Sequence, residues 1–498
     1  MRIYLDSPIN KYYVQTLGMI FFPGEHFGVE EEASEHTPFL SVRTIEEEGG
    51  IRAFAEIGCN GESQSAEYFA EKLGDRTEER TLKLAVGGAV LAAAGALTGY
   101  RPAWGMLIGV RPSKVASEML NAGISKTRVK KLLTSDYLVI PKKAALATDI
   151  ALTERRIVGT PSPKDCSVYI SIPFCPSRCT YCSFVSYTSK RLLDLIPQYL
   201  ERLKKDIASN FSLIHRLGLR VRTVYIGGGT PTILTEEQLR DLLSFIASQT
   251  DVSLLDEFTM EAGRPDTITE EKLAIAKEYG VTRISVNPQT LSDELLSSIG
   301  RKHTVDDFFR AYESARKVGI RTINIDLIAG LPGDHFKTFS STVDQILALA
   351  PENLTVHTFC VKKSAEILRL HSQVYSARGG DAGKCVDYSQ IKAHAAGYIP
   401  YYMYRQKNTV GNYENVGFSK EGHEGLYNIY MMEEIHSIFS AGAGAVTKLV
   451  DYSQTAGLGR NIERLFHQKY PYEYLREDRG DAFAEEAVRF YTEHGMLD

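Results

Sequence analysis

The pattern of apolar and polar positions changes character after Cys166. From Ser167 onward, short runs of β-branched and aromatic residues alternate with longer stretches whose apolar positions recur at helical spacing. "VYISI" precedes a predicted helix near Leu192 to Asn210, and "TVYI" one near Glu236 to Ser248. "EFTME" leads to a helix near Glu270 to Tyr279, "RISV" to one near Val305 to Val318, and "TINID" to one near Phe339 to Ala350. "LTVHTF" closes the series. Six strands separated by helices predict consecutive βαβ units and a parallel sheet, as an open doubly wound sheet or as a barrel or partial barrel.

Residues 1–160 have a different texture. "FLSVRTI" and "IRAFAEI" alternate as half-buried strands do, and "PSKVASEMLNAG" has helical spacing, so this part reads as an α/β accessory domain. The most apolar stretch, "LAVGGAVLAAAGALTGY" (Leu84 to Tyr100), is rich in Ala and Gly and shorter than the roughly 20 residues a spanning helix needs. It predicts a buried, closely packed helix and no stable membrane insertion. "GTPSPKDC" (Gly159 to Cys166) reads as the linker to a core unit, 161–360. The remainder, 361–498, is less regular, with "YIPYYMYRQKN", "GLYNIYMMEE" and a predicted helix in "AFAEEAVRFYTEH", and is expected to form a smaller α+β domain.

Composition narrows the class. Across 498 residues, 57 Lys and Arg face 62 Asp and Glu, a net charge of -5, so no bulk basic field draws the chain to nucleic acid. The N-terminal "MRIYLDSPIN" has neither the basic nor the apolar region of a secretion signal, and a cytoplasmic location is expected. The seven cysteines are an odd number for a large cytosolic chain and argue against a disulfide framework.

Three of them, Cys175, Cys179 and Cys182, crowd the loop after the first core strand. Four thiolates would close a zinc or iron–sulfur site, whereas three on one loop can hold three irons of a 4Fe-4S cluster and leave the fourth open. "CTYC" alone also suits a thioredoxin-like redox pair, but Cys175 adds a third ligand. Other unusual residues sit at the ends of the remaining strands: "GGGTPT" (Gly227 to Thr232), Glu261, Gln289, Asp326 and Cys360. In parallel β/α architectures these ends form the face where ligands bind.

C-x3-C-x2-C immediately after a first strand resembles the radical S-adenosylmethionine (SAM) enzymes. The resemblance implies a partial (β/α)6 barrel, a 4Fe-4S cluster whose open iron chelates SAM, and electron transfer that splits SAM to methionine and a hydrogen-abstracting 5′-deoxyadenosyl radical. "YISIPFCPSRCTYCSF", "YIGGGTPT", "NPQTLSDELLSSIGRKHT" and "INIDLIAGLPGD" together resemble the oxygen-independent coproporphyrinogen III oxidase (dehydrogenase) family. "GVRPSK", "YRQKN", "GNYENVGF" and "EGLYNIYMMEE" are similar to its Firmicute-type branch with an extra N-terminal domain.

That resemblance implies cluster ligation by Cys175, Cys179 and Cys182, and SAM contacts from Tyr169, Gly228 and Glu261. A second SAM held by members of the family would fall at Tyr181, Gly229, Thr230, Gln289, Arg301, Asp326 and Cys360, the first and last matching by position only. The implied enzyme is an oxidoreductase that decarboxylates two propionates of the tetrapyrrole coproporphyrinogen III to vinyl groups, giving protoporphyrinogen IX for haem biosynthesis. It would draw electrons from flavodoxin or ferredoxin. Arg264, Arg405 and Lys407 are candidate cations for the propionates.

The chain departs from the decarboxylases at Phe184, where they carry a fourth cysteine, and at Ser171, where they carry a histidine. A Phe at that place is typical of the family's haem-binding chaperones, the alternative reading. Their His-Asn-x-x-Tyr-Trp haem motif is here "YNIYMM", with Tyr427 for the His and Met432 for the Trp. Anaerobic haem breakdown by radical methyl transfer is a third reading.

Overall fold

The computed structural model describes residues 1–497 apart from residues 24, 26–36, 75, 110, 183, 185, 361–379, 407–408 and 452–460. The N-terminal part builds a four-stranded sheet in the order β1 (Arg2–Asp6), β2 (Phe39–Glu47), β3 (Gly50–Cys59), β4 (Glu62–Glu71), with β1 parallel to β2 and the others antiparallel. The apolar side chains of β2 and β3 alternate with polar ones, and the helices Lys11–Phe21 and Glu78–Thr98 cover the apolar face. Glu78–Thr98 contains the Ala- and Gly-rich stretch. Thr77 caps its start, Gly99 ends it in the left-handed region, and a Cβ at Gly88 would overlap the Tyr68 ring of β4. It is long and apolar enough to cross a membrane, yet 67% of its apolar window is buried inside the protein.

The second sheet has eleven strands. Its centre is β5 (Asp165–Ile172), β6 (Arg220–Gly228), β7 (Glu257–Glu261), β8 (Arg283–Ser285), β9 (Thr322–Ala329) and β10 (Asn353–Thr358), each parallel to the next. These are the six strands the pattern predicts. The intervening helices also lie where expected, Val305–Val318 residue for residue, held by a Thr304–Asp307 capping box and by Gly319 in the left-handed region.

Among the described residues, the part after residue 360 forms no sheet of its own. β13 (Ser437–Ala441) pairs in parallel with β5 and continues into β14 (Val446–Val450) and β15 (Ile462–Phe466), while β12 (Asn415–Ser419) pairs antiparallel with β10 and is flanked by β11 (Ile399–Tyr404). A six-stranded arc has two unpaired edges, and the returning chain covers both. The expected division at residue 360 therefore does not divide the sheet.

Alternation along the six central strands separates two faces. Val168, Ile170, Val224, Phe258, Ile284, Ile323, Ile325 and Leu354 belong to the core shared with the surrounding helices. The opposite face is polar and internally bonded: Ser167 meets Thr223 at 2.7 Å, and Thr355 donates to Asn324 at 3.0 Å. Its lower end is plugged by the chain leading into the helix Leu426–Glu433. Glu257 accepts the Leu426 and Tyr427 N–H groups (2.8 and 3.2 Å), and Arg283 and Asn353 donate to the His423 carbonyl (3.1 and 3.0 Å).

The accessory domain is fastened to this returning chain. Lys143 is fully buried, 2.5 Å from Glu414 and 3.1 Å from Asp387, and Glu414 also accepts the Trp104 indole N–H at 2.7 Å. Arg405 is likewise buried, beside the Trp104 ring and bonded to the Leu107 carbonyl. The sequence singled out Arg405 as a propionate partner; in the structure its guanidinium belongs to the domain interface. Lys407 lies outside the described residues.

Candidate active site

β5 ends at Ile172, and the chain closes a loop on itself: Cys175 N–H donates to the Tyr187 carbonyl (3.0 Å) and Tyr187 N–H to that of Pro173 (2.9 Å). Inside the clasp, Cys182 N–H turns back to the Cys179 carbonyl, and Thr180 N–H anchors the loop to Ile299. Cys175, Cys179 and Cys182 are partly buried free thiols. Burial pushes the Cys175 thiol up to about 11 and also raises Cys182, so ligation has to displace their protons.

The surroundings are donors. Thr230 Oγ1 lies 3.3 Å from Cys175 Sγ, and Arg264 Nη1 3.6 Å from Cys179 Sγ. Arg264 is also held by Ser177 Oγ and Asp266, so it orients the cysteine loop instead of standing free for a propionate. Arg301, buried, donates to the carbonyls of Asn287 (2.6 Å) and Gly263 (3.3 Å) and to the Tyr181 hydroxyl (3.3 Å), and Cys179 is within its reach. Two guanidinium groups and a hydroxyl around three thiols fit an anionic thiolate cluster. Among the described residues, no three His, Cys, Asp or Glu side chains converge tightly enough for a single metal ion.

The glycine turn has a packing role that its sequence leaves open. Gly228 has φ +105°, and Gly229 and Thr230 give their N–H groups to the carbonyls of Ile172 and Phe174 (both 2.8 Å). A Cβ at Gly229 would lie 2.5 Å from the Phe174 carbonyl oxygen. The turn is thus laid against the cysteine loop, and these two N–H groups are not available to a ligand. Ser171 is buried and donates to the Ala443 carbonyl (3.0 Å), and Gly228 and Gly442 lie close enough that a Cβ on either would crowd it.

Beneath this turn Tyr169, Tyr225 and Tyr427 form a stack, Tyr427 buried and the other two half-buried. Tyr225 lies 4.5 Å from Tyr427 and 6.0 Å from Tyr169, ring centroid to ring centroid. Tyr225 donates to Glu261 at 2.6 Å. Burial raises the Glu261 carboxyl to about 7, opposed by the Tyr225 hydrogen bond, reinforced by Asp326, and opposed again by the Gly228 N–H. Across the polar face, Asp326 accepts from Asn287 (2.8 Å) and Asn324 (2.7 Å) and lies 3.6 Å from His357. Burial pushes its carboxyl up, but His357 and Asn324 outweigh that and hold it below the ordinary range.

Gln289 takes φ +71°, and its backbone pairs with β9 through Asp326 and Ile328. Tyr181 packs on Leu296, Ile299, Ile328 and Phe359. Cys360 sits in a bridge with Thr409, on the side of Tyr404, whose hydroxyl is 3.2 Å from His357 Nδ1. Apart from Arg405 and Lys407, the residues singled out in the sequence lie at or beyond one end of the six strands or pack against that end. Tyr225, Asn287 and His357 were not singled out in the sequence, and Tyr427 only in place of a haem-motif histidine; Asn287 and His357 carried a signal, lying at or just past the C-terminal ends of their strands.

Residues 169–346 match the model of the radical SAM superfamily. Over 428 residues, 84% of each chain, the protein is 36% identical to the oxygen-independent coproporphyrinogen-III oxidase-like protein HemZ of Bacillus subtilis (strain 168). It belongs to the radical SAM coproporphyrinogen III oxidase family. The heme chaperone HemW of the same organism is 31% identical over 318 residues, covering 62% of this chain and 79% of HemW. Among solved structures, coproporphyrinogen III oxidase (HemN) from Escherichia coli, a radical SAM enzyme, has the same fold: TM-score 0.51 and 20% identity over 67% of this chain and 73% of that one. A 4Fe-4S cluster and SAM are the cofactors of the family, and the donor-lined cysteine loop suits them.

Proposed function

We propose that the protein oxidatively decarboxylates two propionate side chains of coproporphyrinogen III to vinyl groups. Cys175, Cys179 and Cys182 hold the cluster. Tyr169, Gly228 and Glu261 would border the SAM on it, Glu261 as an acceptor for its amino group and Gly228 by leaving space. When bound, cluster and SAM supply a radical that removes a hydrogen atom from a propionate β-carbon, after which carbon dioxide leaves and one electron passes to an acceptor.

A second SAM would lie along Tyr181, Gly229, Thr230, Gln289, Arg301, Asp326 and Cys360. Of these, Asp326 presents a carboxylate to the polar face, whereas Gly229, Thr230 and Arg301 shape the site through bonds already made within the protein. The chain's own groups bind and orient; the tyrosine stack and the plug at Glu257 exclude water from below.

The observation that carries this reading over a haem carrier is the place of Tyr427. It aligns with the histidine of the chaperones' haem motif, yet it is buried against Tyr225 and Tyr169. A ring enclosed there supports the barrel interior and offers no axial ligand to haem.

The test is anaerobic incubation of reconstituted protein with SAM, a low-potential reductant and coproporphyrinogen III, following 5′-deoxyadenosine and protoporphyrinogen IX. Both products form, and both vanish in Cys175→Ala. Deoxyadenosine without vinyl product would overturn the substrate and direct attention to haem binding and breakdown.

A further inference from the structure

Two of the cations expected to meet substrate propionates are engaged elsewhere, Arg264 with the cysteine loop and Arg405 with the domain interface. Arg301 and Arg283 likewise give their N–H groups to backbone carbonyls and tyrosine hydroxyls. His357 is placed differently. It stands next to the C-terminal end of β10 and keeps 27% of its side chain exposed. Tyr404 Oη lies 3.2 Å from its Nδ1, and Asp326 Oδ2 lies 3.6 Å from its Nε2.

Each end of this row is held from behind. Asp326 accepts the side-chain N–H groups of Asn287 and Asn324, whose amide oxygens in turn accept the Asp326 N–H (3.2 Å) and the Thr355 hydroxyl (3.0 Å). The carboxylate is thereby fixed facing the imidazole. Tyr404, half-buried, reaches the same ring from β11, across β12. It stacks on Tyr402 at 6.2 Å, for which β12 leaves room at Gly417, where a Cβ would overlap the Tyr402 ring. Asn415 of β12 joins the Tyr404 carbonyl to the Thr358 N–H, setting β11 against the end of β10. Other titratable groups act on the row: Arg283, Glu261 and Tyr225 through Asp326, and Cys360 and Tyr402 through Tyr404.

The row has a direction. A proton on Nε2 faces the Asp326 carboxylate, while a proton on Nδ1 is given to the Tyr404 oxygen and turns the phenolic O–H outward as a donor. With Nδ1 bare, the hydroxyl donates inward and presents only its oxygen, which repels an anion. A carboxylate arriving at Tyr404 is thus matched by the imidazolium, whose charge stands between it and Asp326. We propose that Tyr404 and His357 anchor a propionate of the substrate, Tyr404 as the donor to its carboxylate and His357 as the charge behind that donor, with Asp326 positioning the imidazole. β10 is the far end of the six-stranded arc from β5, which carries the cysteine loop. A carboxylate paired with a cation also resists losing its charge as carbon dioxide. The anchored propionate is therefore one that stays in place while another is decarboxylated. The anchor rests on the decarboxylase reading above and adds to it a group that selects an acidic tetrapyrrole.

The test uses the full chain, reconstituted anaerobically, with coproporphyrin III as the binding probe and coproporphyrinogen III as the substrate. Tyr404→Phe and His357→Gln each weaken coproporphyrin III binding about tenfold in fluorescence quenching. Each raises the KM for coproporphyrinogen III by the same factor, with kcat within about twofold of wild type. The double variant binds the probe no more weakly than the weaker single variant, because the two side chains act as one unit. SAM affinity and SAM bound per chain, by equilibrium dialysis, match wild type in Tyr404→Phe. Probe affinities within about twofold of wild type in both single variants, or additive losses in the double variant, would overturn the proposal. So would a loss of SAM in place of the probe, which would assign the pair to the amino-acid end of a SAM. Wild type that binds the probe but forms no vinyl product would sink the decarboxylase reading, while the variants' probe affinities still decide the anchor. Wild type that does not bind the probe would overturn both.

Discussion

Tyr427 lies against Tyr225 with their ring centroids 4.5 Å apart, although one belongs to a helix of the returning chain and the other to the second core strand. This contact ties the helix Leu426–Glu433 to the floor of the site. Removing the ring leaves a cavity beside Glu261. Tyr427→Ala should cost about 3–5 kcal/mol in urea unfolding, and Tyr427→Phe much less. Tyr427→His should not produce the Soret spectrum of axially ligated haem, because the ring at this place is enclosed.

Glu261 keeps its proton up to about 7 in the folded chain and releases it near 4.5 when unfolded. Between these values the unfolded state binds fewer protons, so stability falls as pH rises through that window and is level above it. Glu261→Gln abolishes this slope. Relative to wild type the variant should gain up to about 3 kcal/mol between pH 4.5 and 7.5, read by urea titration across the range. A ligand N–H donated to Glu261 would favour the carboxylate. SAM binding to reconstituted wild type should therefore strengthen from about pH 6 to about pH 8 in equilibrium dialysis, and stay level in the variant.

The Thr230 hydroxyl beside Cys175 and the Arg264 guanidinium beside Cys179 both stabilise added negative charge. Thr230→Val should retain the cluster and lower its midpoint potential in an EPR-monitored redox titration. Cys179→Ala should lose the iron, measured by chelation assay and by visible absorbance.

Lys143 holds two carboxylates in the domain interface; burial opposes its charge, but Glu414 and Asp387 prevail and raise its affinity for the proton. Lys143→Met leaves Glu414 buried without its counter-charge and should cost about 3–5 kcal/mol in urea unfolding. A flat denaturation midpoint would show that the accessory domain is held by its apolar contacts alone.

The six core strands were legible because each is short, β-branched and followed by a helix with its own start and stop residues, as at Thr304, Asp307 and Gly319. The cysteine loop and the residues at the strand ends were legible for a related reason: a glycine run or a lone carboxylate ending an apolar strand has little reason to be there except a site. Tyr225 and Tyr427 were not, since a tyrosine in a strand is ordinary β-propensity and their contact spans about 200 residues of chain. Arg405 misled for the same reason. Its cationic head reads as a ligand group until Leu107 and Trp104, from the opposite end of the chain, are seen around it. The strands β11 to β15 escaped notice because what defines them is pairing with a distant edge, as Ser437 pairs with Cys166, and their own composition says little.

That last pairing also orders events during synthesis. The cysteine-bearing strand emerges from the ribosome long before Ser437–Ala441, its neighbour on one side, and before Ala443, which receives the Ser171 hydroxyl next to the cysteine loop. For most of translation β5 has one edge open and its loop unsupported on that side. Iron loaded into the nascent chain before then would meet a half-built cradle, so assembly of the cluster belongs after Ser437–Ala441 has paired with β5.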